Sequence, residues 1–326
     1  MEAVEATALS GPSALRVASV PVPDGNGKVL VAVRTVGVNF PDLLMTYGKY
    51  QLRASPPFVP GVEVAGVVVS APAGTAFSPG DEVVAFCPEL GGYSEFVAVA
   101  PEMVAAKPPE LDFAEAAALP ANFQTVHFAM TQRAIVRPGQ SVLVLGGAGG
   151  IGTAAIQIAK ALGATVIAVT RRQGVAQRLT ELGADHVVAL VPGWAQRVRD
   201  ITGGAGVDHV LDPIGGAAFD EAIRALATEG NLFVIGFASG DGIPTLKVNR
   251  LLLRNIAVTG VAWGEYMQTR PTAFAKSMAA LSDLAAAGFR PYVSARYSLS
   301  EAGAALTALE RGAIVGKAVI EVPSTT

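Results

Sequence analysis

Residues 146–152, Gly-Gly-Ala-Gly-Gly-Ile-Gly, carry the spacing G-x-G-x-x-G at Gly147, Gly149 and Gly152. The flanks decide how that spacing reads. Val142–Leu145, directly before it, is an uninterrupted apolar run, the pattern of a strand buried on both faces. Behind it Ile151, Ala155, Ile158, Ala159 and Leu162 recur at helical spacing, with Lys160 on the opposite face. Gly163 stands where a helix-terminating glycine belongs, and Thr165–Val169 is a second strand-like run. Strand, glycine turn, helix and strand constrain this stretch to a βαβ unit. In it Gly147, Ala148, Gly149, Gly150, Ile151 and Gly152 bring the backbone at a helix N-terminus against a pyrophosphate. A tight turn without a ligand would not need glycine at 146, 147, 149, 150 and 152.

The end of the second strand selects the dinucleotide. NAD-binding units place an acidic residue about 20 residues beyond the glycines, on the ribose 2′-hydroxyl. Here Thr170-Arg171-Arg172 occupies that point, and no carboxylate follows until Glu181. Two guanidinium groups suit a 2′-phosphate, which they can grip with paired, charge-assisted hydrogen bonds. The cofactor expected is therefore NADPH.

The rest of the chain frames this unit. With 326 residues there is room for two domains and a large core. Residues 1 to about 120 are rich in Val, Pro and Gly, with strand-like runs at 28–36, 63–70, 82–86 and 93–99 between turn signals. They read as an irregular antiparallel β domain. From Gly139 to about Gly260 strands at 141–145, 165–169, 186–190, 207–212, 231–236 and 256–260 alternate with helices, which predicts a doubly wound parallel sheet. Helices over 271–287 and 301–310 and a strand over 317–322 then return to the first domain. The class is α/β, with one domain made of 1–120 and 265–326 and a dinucleotide-binding domain over 121–264.

A net charge of −3 without a basic stripe excludes nucleic acid as a main partner. A single cysteine, Cys87, excludes a disulfide framework and fits a reducing, cytoplasmic compartment. The start Met1-Glu2-Ala3-Val4-Glu5 lacks the basic region of a signal peptide. Glycines and Lys160 break the apolar stretch over 141–169, so a membrane is not expected as a partner.

Several segments together resemble a known family. They are Gly37-Val38-Asn39-Phe40-Pro41-Asp42, Gly48-Lys49-Tyr50, Pro60-Gly61-Val62-Glu63-Val64-Ala65-Gly66, Pro79-Gly80-Asp81-Glu82-Val83, Gly92-Tyr93-Ser94-Glu95-Phe96, the glycine turn, Leu182-Gly183-Ala184-Asp185 and Gly316-Lys317-Ala318-Val319. Over essentially its whole length the chain resembles the zinc-free quinone oxidoreductases, the zeta-crystallin-like branch of the medium-chain dehydrogenase/reductase superfamily. The resemblance implies a GroES-like β domain beside a Rossmann domain. It implies Asn39 and Tyr50 near the nicotinamide and the acceptor. It also implies cofactor contacts from Asn39, Thr125, Gly236, Phe237, Ser239 and Lys317, and a homodimer joined through the sixth strand of the nucleotide domain. Some relatives hold the 2′-phosphate with a lysine where Val175 stands here and a tyrosine where Leu190 stands, which puts more weight on Arg171 and Arg172.

Zinc-dependent relatives bind catalytic metal through positions that here carry Asn39, Val62 and Ala121 or Asn122, and one cysteine cannot build a four-cysteine lobe. No metal is expected. Without Lewis-acid help, the favoured reaction is hydride transfer to an acceptor that is already electrophilic. The reading is an NADPH-dependent quinone reductase. Its close alternative is a 2-enoyl, alkenal or enone reductase. An alternative of another class is a non-catalytic NADPH-binding, crystallin-like or RNA-binding protein. Tyr50 is either a hydrogen-bond donor to developing oxyanion charge or a pocket wall.

Overall fold

The computed structural model describes residues 1–323. The chain forms two compact units, one made of Met1–Gln124 and the chain from Gly264 onward, the other of Thr125–Trp263.

The first unit begins with an antiparallel pair, β1 (Glu2–Ala6) and β2 (Leu15–Ser19). The long strand β3 (Val29–Val38) follows, then the short helix α1 (Phe40–Thr46). Next come β4 (Glu63–Ser70), β5 (Glu82–Phe86), β6 (Phe96–Val99), β7 (Val104–Ala106) and α2 (Phe113–Ala117). Asp112 caps α2: its carboxylate accepts from Glu115 N at 2.7 Å while Glu115 reaches back to Asp112 N at 3.0 Å, a reciprocal cap that satisfies two otherwise orphaned donors. Wide, π-type turns over Leu119–Phe123 and Ala129–Arg133 flank α3 (Gln124–Phe128).

The second unit alternates strand and helix: β8 (Ser141–Leu145), α4 (Gly150–Ala161), β9 (Thr165–Thr170), α5 (Ala176–Glu181), β10 (His186–Ala189), α6 (Trp194–Ile201), β11 (Val207–Asp212), α7 (Ala218–Ala225), β12 (Leu226–Val234), α8 (Asn249–Arg254) and β13 (Ala257–Gly260). Its six strands are parallel in the order β10-β9-β8-β11-β12-β13. That is the Rossmann order 3-2-1-4-5-6, with the strand order reversing between β8 and β11. Val142, Leu143, Val144, Leu145, Val166, Ile167, Ala168 and Val169 are closed to solvent. Each large aliphatic side chain among them contributes roughly 1.5–3 kcal/mol by burial, which is why β8 and β9 are apolar on both faces. The strand expected over 231–236 begins earlier, at Leu226. After the buried Leu226, Ala227 is half-buried and Thr228 and Glu229 are exposed, and Glu229 takes a left-handed φ of 65°, so no apolar run marks this start.

Past α9 (Trp263–Gln268) and α10 (Ala273–Ala286) the chain adds β14 (Val293–Ser298), α11 (Ala302–Glu310) and β15 (Lys317–Glu321) to the first unit. The sheet there runs β14-β15-β3-β4-β5-β7, with β6 pairing β3. β15 lies antiparallel to β3 with Ala318 opposite Val38. The architecture is the expected one, a GroES-like irregular β unit and a doubly wound Rossmann unit. Among the described residues no helix is long and apolar enough to cross a membrane.

Candidate functional site

Ligands of an open parallel sheet bind beyond the carboxyl ends of its strands, where the strand order reverses. In the second unit that point is the glycine turn after β8. Gly147 N donates to Val169 O at 2.9 Å and Gly149 N to Gly146 O at 2.8 Å, which folds the turn back onto β9. A side chain at Gly152 would meet Gly147 Cα at 2.7 Å. Only glycine lets α4 start this close to the strand. Gly149 is the N-cap of α4 and supplies no side-chain cap, which leaves the positive helix end open to an anion.

The loops after β11 and β12 close beside it. Asp212 Oδ1 accepts from Ile214 N at 2.9 Å and Gly215 N at 2.8 Å. Ala238 N and Ser239 N donate to Pro213 O and Ile214 O at 3.1 and 2.9 Å. The loop that carries Gly236, Phe237 and Ser239 is thereby held on the loop after β11, and a side chain at Gly146 would meet Ile214 of that loop at 2.9 Å. Phe237 is 43% exposed. Thr170 ends β9 and its hydroxyl accepts from Arg172 N at 3.1 Å. Arg171 is exposed, and Arg172 is half-buried, with its pKa lowered by burial. Thr125 lies in α3, half-buried.

The first unit builds a second constellation. Asn39 caps α1 and Glu63 opens β4. Lys317 opens β15. Asn39 Nδ2 donates to Glu63 Oε1 at 2.7 Å and to Gly37 O at 3.3 Å. Lys317 Nζ donates to Asn39 Oδ1 at 2.7 Å and also to Glu63 Oε1. Ala121 N donates to Glu63 Oε2 at 2.6 Å. Glu63 is closed to solvent, and Lys317 and Asn39 are 2% and 4% exposed. A side chain at Gly37 would meet the Glu63 carboxyl carbon at 2.6 Å, so the glycine makes room for the hub. Removing one partner of such a buried pair costs about 3–5 kcal/mol, because the other charge is stranded.

Below this network lies a second carboxyl. Asp42 Oδ2 accepts from Asn39 N at 2.9 Å and from Tyr93 OH at 3.3 Å, and Oδ1 has no partner. Burial pushes the Asp42 pKa up to about 7, with nearby Glu63 raising it further and the Asn39 N–H and Lys317 opposing. Tyr93 is likewise held well above its ordinary value by burial and by Asp42. Sequence reasoning named Asn39 and Lys317. It missed Glu63 as the hub and the pairing of Asp42 with Tyr93, because the partners lie far apart in the chain.

Tyr50 packs on a cluster of Met45, Val62 and Leu90 together with Ala54, Phe58 and Phe86. Burial, then the Asp42 charge, raises its pKa, so the phenol keeps its proton. Tyr47 has a different place: its ring covers Gly11 and its hydroxyl donates to Glu310 Oε1 at 2.8 Å. Cys87 is buried, and burial raises its thiol pKa far above the ordinary value, which makes it unreactive.

The donor set at this corner does not fit zinc. The Asn39 amide hydrogens are committed to Glu63 and Gly37 and its oxygen accepts from Lys317, Val62 is part of an apolar cluster, and an ammonium already sits on the Glu63 carboxylate. Among the described residues no three His, Cys, Asp or Glu side chains gather as a metal site.

Residues 25–109 match the family model of the alcohol dehydrogenase GroES-like domain, and residues 150–295 that of zinc-binding dehydrogenase. A probable oxidoreductase from Mycobacterium abscessus has a crystal structure that superposes with a TM-score of 0.91, at 52% identity over 98% of both chains. A mycobacterial protein solved as its NADPH complex superposes at 0.90, with 32% identity over 98% of this chain and 99% of that one. The quinone oxidoreductase-like protein 2 of Bos taurus is 34% identical over 299 residues, 90% of this chain and 84% of its own.

Proposed function

The chain belongs to the quinone oxidoreductase-like proteins of the medium-chain dehydrogenase/reductase superfamily, and on that premise we propose that it is an NADPH-dependent, zinc-independent quinone reductase. The observation that carries the reading is the occupation of the metal corner by Asn39, Glu63 and Lys317. With no site for a Lewis acid there, an ordinary ketone would go unpolarised, and the acceptor must be conjugated and electron-poor.

The open N-terminus of α4, from Gly147 to Gly152, takes the pyrophosphate. Thr170, Arg171 and Arg172 take the 2′-phosphate, and Arg171 is exposed to receive it. Gly236, Phe237 and Ser239 line the nicotinamide half, joined by Thr125. When bound, NADPH supplies the hydride. The protein orients it, keeps water away and offers hydrogen bonds to the acceptor oxygen. Tyr50, kept protonated by its apolar surroundings, is the donor to that oxygen. A quinone that accepts a hydride and one proton leaves as the hydroquinone.

The second unit ends at β13, an edge strand. Just before it Val248, Leu252 and Leu253 are 75–77% exposed. Long apolar edges are covered in native proteins, which supports a homodimer formed through β13 and α8.

The deciding experiment follows NADPH and NADH oxidation against 9,10-phenanthrenequinone, an alkenal and crotonyl-CoA. Turnover of the quinone with NADPH, at a kcat/KM above that with the other acceptors, is expected. Preference for crotonyl-CoA would make the chain an enoyl reductase instead.

A further inference from the structure

We propose that His209, Asn231 and Thr259 form an acid-sensitive relay across one face of the parallel sheet. A proton taken up at His209 Nδ1 turns the Asn231 amide over and reverses the Thr259 hydroxyl on the edge strand.

The three residues stand on three neighbouring strands, β11, β12 and β13, and β13 is the edge of the sheet. His209 is the register partner of Asn231, and such partners on parallel strands point to the same face. Both side chains are 7% exposed. The His209 ring stacks on Phe233, with centroids 5.8 Å apart and an interplanar angle of 16°, which holds it in the sheet face.

One end of the relay has a fixed polarity. Gln140 Oε1 accepts from Arg137 N at 2.8 Å, and a backbone N–H can only donate. The same oxygen lies 3.1 Å from His209 Nε2, so Nε2 carries a hydrogen. A neutral imidazole then has its lone pair at Nδ1. Nδ1 is closed to solvent and has no partner among the described residues, and the same holds for Asn231 Nδ2. In the neutral state an acceptor and a donor share this face.

The other end is free to reverse. Thr259 Oγ1 donates to Asn231 Oδ1 at 2.7 Å. A hydroxyl accepts as well as donates, so this contact survives a 180° turn of the amide, with Nδ2 donating to Oγ1. A second proton on the imidazole makes Nδ1 a donor and sets N–H against N–H. Solvent cannot relieve that mismatch at this depth. The turned amide relieves it: Oδ1 accepts from Nδ1–H while Nδ2 keeps Thr259. The Thr259 hydroxyl hydrogen is then released to a partner outside the sheet, from a side chain that is only half-buried.

Burial lowers the His209 pKa, Asp208 opposes that and Arg137 adds to it. The charged groups around the relay are these two and Arg133, which donates to Gly260 O beside Thr259 at 3.0 Å. The relay therefore rests in its neutral state at pH 7 and switches in acid.

The test is 15N NMR of the full chain, labelled at histidine and asparagine side chains, between pH 4 and 8. The chain has three histidines, and His209→Phe assigns the signal. His209 should be the Nε2–H tautomer at pH 8. On acidification the Asn231 side-chain amide should shift with the His209 midpoint, and this shift should vanish in His209→Phe. Asn231→Leu removes the acceptor for Nδ1–H, so the proton affinity of His209 should fall by about tenfold, the size of one hydrogen bond to a charged group. A histidine that is merely buried would titrate without moving Asn231 and keep its midpoint in Asn231→Leu. Either result overturns the proposal, as does an Nδ1–H tautomer at pH 8 or a His209 that stays neutral down to pH 4. If Asn231→Leu does not fold, the titration of the wild-type Asn231 amide decides alone.

Discussion

Tyr93 and Asp42, 51 positions apart, meet in the closed interior of the first unit, where the phenol donates to the carboxyl at 3.3 Å. Asp42 Oδ2 also receives the Asn39 N–H, so this one oxygen ties the cap of α1 to the loop ahead of β6.

The raised Asp42 pKa sets a pH dependence of stability. Its ordinary value is 3.8 and its folded value about 7. Between these two values the folded chain holds a proton that the unfolded chain has lost. Stability from this group is full below about pH 4 and declines as pH rises towards 7. Asn at position 42 imitates the protonated acid and keeps the oxygen that Asn39 and Tyr93 use. Tm profiles between pH 5 and 8 should show the wild type losing stability relative to Asp42→Asn as pH rises. Parallel profiles would refute this origin.

Arg171→Ala/Arg172→Ala removes both guanidinium groups at the end of β9. Each charge-assisted bond to a phosphate contributes about 1.5–3 kcal/mol. KM for NADPH should rise by about tenfold or more while KM for NADH stays within twofold. Steady-state kinetics with both cofactors checks this, and an unchanged NADPH to NADH ratio would rule out the arginines as the selector.

Tyr50→Phe deletes a hydroxyl and leaves the packing on Met45, Val62 and Leu90 in place. Quinone turnover should fall by about tenfold with Tm unmoved. An unchanged kcat would make Tyr50 a wall of the pocket.

Leu252→Glu/Leu253→Glu puts charge on the exposed face of α8, where both leucines stand more than 70% open. Light scattering after gel filtration should report a dimer for the wild type and a monomer for the variant. Equal masses would show that this face is not the dimer contact.

Much of the second unit is legible in sequence because buried parallel strands are written as unbroken apolar runs and their helices as one-sided stripes. β8, α4 and β9 fall within a residue of their expected ends. The first unit hides more. β14 alternates between half-buried and exposed residues, so no apolar run marks it. β1 and β2 are short, and beyond their mutual pairing β1 makes only the isolated bridges of Ala3 to Ser94 and Ala6 to Phe58. The expected strand over 93–99 starts at Phe96, because the backbone of Tyr93 is used by Val4 and that of Ser94 bridges Ala3. Asn39 and Lys317 could be named from motifs. Their meeting could not, since Glu63 stands 24 residues from one and 254 from the other, and the pairing of both β15 and β4 with β3 brings the three together.

The bond between Lys317 and Asn39 spans 278 positions. On the ribosome, all six strands of the dinucleotide sheet emerge before residue 317 does, and domains fold as units during synthesis. The nascent chain can therefore complete its Rossmann sheet while Asn39 and Glu63 still wait for their cation. Lys317 is the last of the three to be synthesised, so the Glu63 carboxylate and the Asn39 amide gain their shared cation only when β15 is made.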